Sequence, residues 1–411
     1  MGMLLLTNGR IVDGTADAPS APVNVLIENN IIREVGPKVE AAKARRLDLG
    51  GRVVMPGLID CHVHVIASNP NLGQNAMLPD SLVMARGMGI MNGMLMRGFT
   101  TVRDVGGADY GVKLAAEEGL VPMPRIVMSG KALSQTGGHC DFRGRFDDRP
   151  TAETGFRLGT LGRICDGIDE CRRAAREEIK GGADFIKIMA NGGVASPTDP
   201  IHFLGFARDE IIAIVEEAKN AGTYVSAHLY TDEAIRRAVE CGVHSLEHCN
   251  LIENETAKLA ARAGAVAVPT LVTYDKLASE GASLGFPADS VAKIDSVRLR
   301  GLQSLDIMKQ AGLTMAYGTD LLGAMHRHQS HEFILRREVL SAREVIASAT
   351  HIAAELCRMS GKIGTIAPGA FADLIAVDGD PLKDISLLTG QGRHMPLILR
   401  SGRIVKRKGL G

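Results

Sequence analysis

A chain of 411 residues exceeds one minimal domain and accommodates a barrel of about 250 residues or more plus a smaller module. Lysine plus arginine balances aspartate plus glutamate at 47 each, so charge gives no reason to expect nucleic acid or an anionic membrane as partner. Tryptophan is absent and aromatics make up 4%, which disfavours base stacking, and no apolar run approaches the roughly 20 residues of a membrane helix.

The first 55 residues read as short strands and turns: LLLTNGRIVDG, VNVLIENNIIREVG and ARRLDLGGRVVMPG, with Asn8-Gly9, Asp13-Gly14 and Gly50-Gly51 supplying turn chemistry. The opening LLL leads into a strand and lacks the basic flank of a signal peptide. Seven cysteines (Cys61, Cys140, Cys165, Cys171, Cys241, Cys249, Cys357) form no CxxC pair. They read as small buried side chains in a reducing cytoplasm.

Between residues 56 and 357, strand and helix patterns alternate. GLIDCHVHV, FTTVRDVGG and PRIVMSGKAL open the series. DECRRAAREEIKGG then feeds ADFIKIMA, DEIIAIVEEAKNAG feeds TYVSAHLY, and TDEAIRRAVECG feeds VHSLEHC. ENETAKLAARAG feeds AVAVPTLV, and SVRLRGLQSLDIMKQAG feeds LTMAYGTD. The helices begin near Asp, Thr or Asn and end at Gly, as capping requires. Eight strand candidates in sequence predict an α/β fold closed into a (β/α)8 TIM barrel. The stretch 134–168 is long for a βα connection and reads as an active-site lid. Residues 358–411 return to strands and turns, so segments 1–55 and 358–411 are expected to form one small β-sandwich around the barrel at 56–357.

Polar residues gather at the predicted strand ends, where a barrel's loops open to solvent. His62 and His64 share one strand face, while Cys61 and Val63 take the other. His228 closes TYVSAH, His248 closes VHSLEH and Asp320 closes LTMAYGTD. Lys187 lies among apolar neighbours in DFIKIMA. It either snorkels outwards, pairs with Asp184, or is desolvated until its neutral amine captures carbon dioxide. The resulting carbamate is an anion with two oxygens, able to bridge two cations. Imidazoles, a carboxylate and such a lysine together point to a two-metal hydrolytic site.

VMPGLIDCHVH, FIKIMANGGV, SAHLYTDEAI, SLEHC, AYGTD and GTIAPGAFADLIAVDGDP resemble the amidohydrolase superfamily, in particular its dipeptidase branch of prolidases and Xaa-Arg/Lys carboxypeptidases, near imidazolonepropionase. The resemblance covers essentially the whole chain. It implies one divalent metal ion, expected to be zinc, on His62, His64 and Asp320, a second on His228 and His248, and carboxylated Lys187 between them. It further implies His139, in QTGGHC, as a substrate-binding polariser of the scissile carbonyl, and a homo-oligomer.

Asp320 is placed to take a proton from the attacking water and hand it to the leaving amine. Tyr230, two beyond His228, is either a hydroxyl for the substrate's α-carboxylate or a rim aromatic. MHRHQSH adds a histidine-rich loop, from which His326 is singled out as a substrate contact. A deaminase of this superfamily needs an acid beside the fifth-strand histidine, but Leu229, Tyr230 and Thr231 follow His228. Asp141 and Asp199 are candidate acids for an Arg or Lys side chain. The expected substrate is a dipeptide ending in a small neutral residue, proline first, with an Xaa-Arg/Lys carboxypeptidase or an imidazolonepropionase-type cyclic-amide hydrolase or deaminase as alternatives.

Overall fold

The computed structural model describes residues 2–151, 155–286 and 288–410; residues 152–154 of the predicted lid, with 1, 287 and 411, lie outside the described residues. Both chain ends join one sheet. Its strands run in the order Arg403–Arg407, Leu397–Arg400, Leu374–Val377, Val53–Pro56, Met3–Ile11, Val23–Glu28 and Ile31–Gly36. Met3–Ile11 divides its partners: Leu4 to Thr7 pair with Arg45–Asp48, and Arg10 and Ile11 pair with Val53 and Val54. Asn8 makes that change of partner possible by adopting a left-handed conformation (φ 56°), which asparagine tolerates. Antiparallel pairing of Val53 with Val377 and Met55 with Ile375 ties the ends together. Alternation does the packing. Val54, Leu397 and Leu399 join Leu4, Leu6 and Val25 in a core of their own, whereas Val53, Met55 and Ile398 face the main core.

The middle of the chain is α/β with parallel sheets. One has the order Gly162–Ile164, Ala132–Ser134, Ile186–Met189, Val225–Thr231, Ser245–Leu251, Val266–Val268 and Thr314–Met315; the other holds Leu58–Val63, Phe99–Asp104 and Arg125–Met128. Backbone hydrogen bonds join them at both edges: Asp184 N–H donates to Met128 O at 2.7 Å and Cys61 N–H to Tyr317 O at 2.7 Å. All seven cysteines are buried and unpaired. Among the described residues no helix is long and apolar enough to cross a membrane.

Three expectations change. The strand predicted over AVAVPTLV stops at Val268, because Pro269 has no N–H for a ladder, and helix Leu271–Lys276 takes over. The last predicted helix is two helices, Ala288–Arg298 and Gly301–Gln310, broken just before Gly301. The predicted lid contains a strand, Gly162–Ile164, parallel to Ala132–Ser134. Asp166, at the start of helix Gly167–Lys180, does not cap it; its carboxylate accepts from Thr136 N–H instead, at 2.9 Å.

Candidate active site

Six predicted donors converge. His62 and His64 project from one strand with ring centroids 5.6 Å apart, and the Nε2 of each lies 3.4 Å from Asp320 Oδ1. The His248 ring is 4.8 Å from His62 and 4.7 Å from His228. Ligand atoms of His62, His248 and Asp320 fall within 4.8 Å of one another. All of these, with Lys187, line one cavity of about 550 Å³.

Local backbone choices produce the convergence. His248 (φ 71°) and Asp320 (φ 53°) both sit in the left-handed region, at a cost of about 1–3 kcal/mol each that surrounding contacts must overcome. At Asp320 those contacts are visible: its N–H donates to His62 O at 2.8 Å, and the hydroxyl of neighbouring Thr319 donates to buried Asp60 at 2.6 Å.

Each imidazole is oriented through its other nitrogen, as metal-binding histidines are. His62 Nδ1 lies 2.7 Å from Glu247 Oε2, His64 Nδ1 2.8 Å from Gly106 O, and His248 Nδ1 2.8 Å from Thr270 Oγ1. Each therefore turns Nε2 to the cavity. His228 is reversed, with Nε2 3.3 Å from Gly192 O. Glu247 is fully buried and its other oxygen accepts from Arg103 Nη2 at 2.7 Å and from the Ser226 and Ser245 hydroxyls at 2.6 Å. Burial alone would raise this carboxyl; Arg103 and then His62 hold it well below the usual range. Burial likewise opposes ionisation of Asp320, yet the imidazoles of His62 and His64 keep it far below an ordinary carboxyl.

Lys187 is 1% exposed and, among the described residues, forms no ion pair. The alternative partner, Asp184, is taken by Lys113 at 2.7 Å. Burial brings the Lys187 amine down to about 8. The remaining predicted residues divide. His139 lines the cavity, its ring stacked 4.1 Å from His228 and its Nδ1 2.7 Å from Ser196 Oγ. A Cβ at Gly193 would come within 1.7 Å of that ring, so only glycine fits there. Tyr230 is buried rather than on the rim, and its hydroxyl accepts from Tyr274 at 3.0 Å. His326 lies elsewhere: it does not line the cavity but sits 3.4 Å from Ala67 O, in a separate depression beside Arg97 and Arg327. Its burial pushes the imidazole down to about 3. Asp141 and Asp199 do not line the cavity either; Asp141 pairs with Arg143 at 2.7 Å, and Asp199 accepts from Gly193 N–H at 3.0 Å.

Sequence reasoning missed the Glu247–Arg103 pair, although an acid directly before His248 in SLEHC was a usable signal. It also missed Tyr274 and Lys293. The Lys293 ammonium donates to the carbonyls of Gly193, Ser196 and Asp199 at 3.0, 2.9 and 3.2 Å, pinning the loop that carries His139's partner. No spacing rule pointed to it. The predicted lid does reach the cavity, contributing Cys140, Phe142 and Leu161.

Residues 53–405 match the Amidohydrolase family. The chain belongs to the amidohydrolase family. A solved amidohydrolase is 53% identical over 99% of this chain and 100% of its own, with a TM-score of 0.97. A prolidase solved in complex with N-methylphosphonate-L-proline is 50% identical with the same coverage and TM-score. The ochratoxinase of Aspergillus niger is 30% identical over 98% of this amidohydrolase and 86% of its own length.

Proposed function

We propose that this amidohydrolase is a binuclear metal-dependent dipeptidase acting on Xaa-Pro bonds. The observation that carries the reading is the cavity in which five imidazoles, Asp320 and a buried unpaired lysine meet. In this reading the two parallel sheets are one closed (β/α)8 barrel spanning 56–357, supported by the hydrogen bonds at both sheet edges. Segments 1–55 and 358–411 form the β-sandwich, supported by their shared core.

The donor chemistry fits two divalent cations, and imidazole with oxygen donors suits zinc. His62, His64 and Asp320 would hold one, His228 and His248 the other, with Lys187 as a carbamate between them. The carbamate forms when the Nζ ammonium loses one proton and the neutral amine then bonds to the carbon of carbon dioxide and releases a second, so a cation becomes an anion without leaving its place. Such ions polarise a carbonyl and lower the pKa of an attacking water. The protein's own groups do the rest. Asp320 takes the water's proton on its carboxylate and returns it to the proline nitrogen as the C–N bond breaks. His139, its Nδ1 2.7 Å from Ser196 Oγ and 3.7 Å from Asp199 Oδ2, donates from Nε2 to the carbonyl oxygen as negative charge develops. The Tyr230 hydroxyl, backed by Tyr274, binds the α-carboxylate.

Substrate choice follows from the lining. Leu72, Phe142, Leu161, Val194, Phe286 and Leu322 surround the donors, and Asp320 is the one acid among the lining residues described. An arginine or lysine side chain would be buried there without a counter-charge, which disfavours the carboxypeptidase alternative. Proline or another uncharged ring fits, joined to a small or apolar acyl group. The proline-bearing phosphonate bound by the related prolidase supports this, since a tetrahedral phosphorus has the shape of an amide carbon after water has added. Deamination is disfavoured because Asp232, the first acid after His228, is spent on Glu253 N–H and the Thr256 hydroxyl, both at 2.9 Å. Profiling the zinc-loaded protein against a dipeptide library, with ochratoxin included, tests the reading. Xaa-Pro substrates with small or apolar Xaa should be fastest; turnover of neither Xaa-Pro nor Xaa-Arg/Lys would end it.

A further inference from the structure

A second crevice, open and of about 790 Å³, lies where the terminal sheet meets the parallel strands and shares no lining residue with the catalytic cavity. Arg125 enters it from the start of strand Arg125–Met128, Arg400 and Arg403 from the terminal hairpin, and Glu117 from the end of helix Tyr110–Glu118. Arg400 and Arg403 are direct cross-strand partners. Like charges so placed repel unless something of opposite sign lies between them. The acids nearby fill that role only in part, attracting Arg400 from a distance without bonding to it. Asp373 is already engaged, accepting from Arg125 Nη2 at 3.2 Å and from Ser401 N–H at 2.6 Å. Glu117 forms no ion pair with any of the three arginines among the described residues.

Three guanidinium nitrogens are left over. Arg125 Nε and the Nε and Nη2 of Arg400 are buried donors with no acceptor among the described residues. Arg403 is exposed and makes no hydrogen bond or ion pair among them. Buried donors without acceptors are rare, and in a cluster of forked cations they mark a place for an anion. The neighbours sharpen the picture: Arg125 stacks over Phe371 at 4.2 Å, which fixes its plane, and Ser401 adds a hydroxyl to the lining.

We propose that this crevice binds a small tetrahedral oxyanion of the phosphate class, held between Arg125, Arg400 and Arg403. Guanidinium forks match phosphate oxygens in pairs, which a lone ammonium does not. Bound there, the anion joins the terminal hairpin to a parallel strand at the end away from the catalytic donors, so its effect falls on stability and not on turnover.

The test uses the full-length, zinc-loaded protein and inorganic phosphate, at constant ionic strength against chloride. Calorimetric titration should show saturable binding of one phosphate per chain at this crevice, and Tm should rise as the site fills. Arg403→Gln, on an exposed side chain without partners, should weaken binding by about tenfold or more, as should Arg400→Met. Glu117→Gln, which removes the competing negative charge, should tighten it. Absence of saturable binding overturns the proposal. So does a phosphate response that survives Arg403→Gln and Arg400→Met unchanged, since that would place the anion at the catalytic cations or in a general salt effect. If Arg400→Met fails to fold, Arg403→Gln and Glu117→Gln decide between them.

Discussion

The two halves of the catalytic cavity are held by different chemistry. Around His62, His64 and Asp320 the supports are charged: Glu247 braced by buried Arg103, and Asp60 beneath Thr319. Around His228 and His139 the nearest partners are neutral, a carbonyl of Gly192 and a hydroxyl of Ser196, with the Asp199 carboxylate farther off at 3.7 Å from His139 Nδ1. The pKa directions follow. Burial works against protonation of His64, but Asp320 raises it above its ordinary value; burial, then the imidazoles of His139 and His248, drives His228 well below. The side chains bracing the two halves therefore differ in charge, and the directions at His64 and His228 differ with them.

Breaking the charged half should do the most damage. Glu247→Ala leaves Arg103 buried without its carboxylate, and unfolding by urea should register a loss of about 3–5 kcal/mol. Metal content should fall with it, by about 10–100-fold in affinity. Equal stability and metal retention would erase the distinction between the halves. Lys187→Met removes the proposed bridging anion while preserving bulk. Metal content should drop from about two ions per chain to one or fewer, and activity should vanish without a comparable loss of stability. Reconstituting the metal-free wild-type protein should be accelerated by bicarbonate, and the variant should not respond.

The neutral half should yield kinetic effects instead. His139→Asn is expected to lower kcat by about 10²–10³ with little change in KM. Tyr230→Phe removes one hydroxyl from the proposed carboxylate site and should raise KM about tenfold, leaving kcat nearly untouched. The smallest change is expected from Lys293→Met. Freeing the Gly193–Asp199 loop should cost a few-fold in kcat, and in a cycle with His139→Asn the two effects should not add. Additive effects would show that Lys293 acts elsewhere.

Much of this site was legible because its signals are periodic. HxH on a strand, an apolar-flanked lysine, and polar residues closing successive strands all follow from alternation of side chains, and alternation survives in sequence. Asp184 shows the limit of local reading: it precedes Lys187 by three residues, yet it pairs with Lys113 from helix Tyr110–Glu118. Glu247 and Arg103 lie 144 residues apart, and only folding brings them within 2.7 Å. His326 misled because a histidine-rich loop near Asp320 gave no indication of which ring would turn inward behind Ala67. In the fold, Pro269 signals its break locally through a missing N–H, which a strand reading of the whole of AVAVPTLV overlooks. The strand at Gly162–Ile164 gives no such signal, because three residues of pairing depend on a neighbour, Ala132–Ser134, that sequence distance concealed.

The terminal sheet has a bearing on how the polypeptide is made. Leu4, Leu6, Val25 and Ile27 share their core with Leu374, Ala376, Leu397 and Leu399, and Val53–Pro56 has Leu374–Val377 as its neighbour. During synthesis the opening segment leaves the ribosome long before those partners exist. Its apolar face must wait, uncovered or shielded by chaperones, until translation has passed residue 399. The order of emergence thus places completion of this small sheet after every parallel strand of the middle segment has been synthesised.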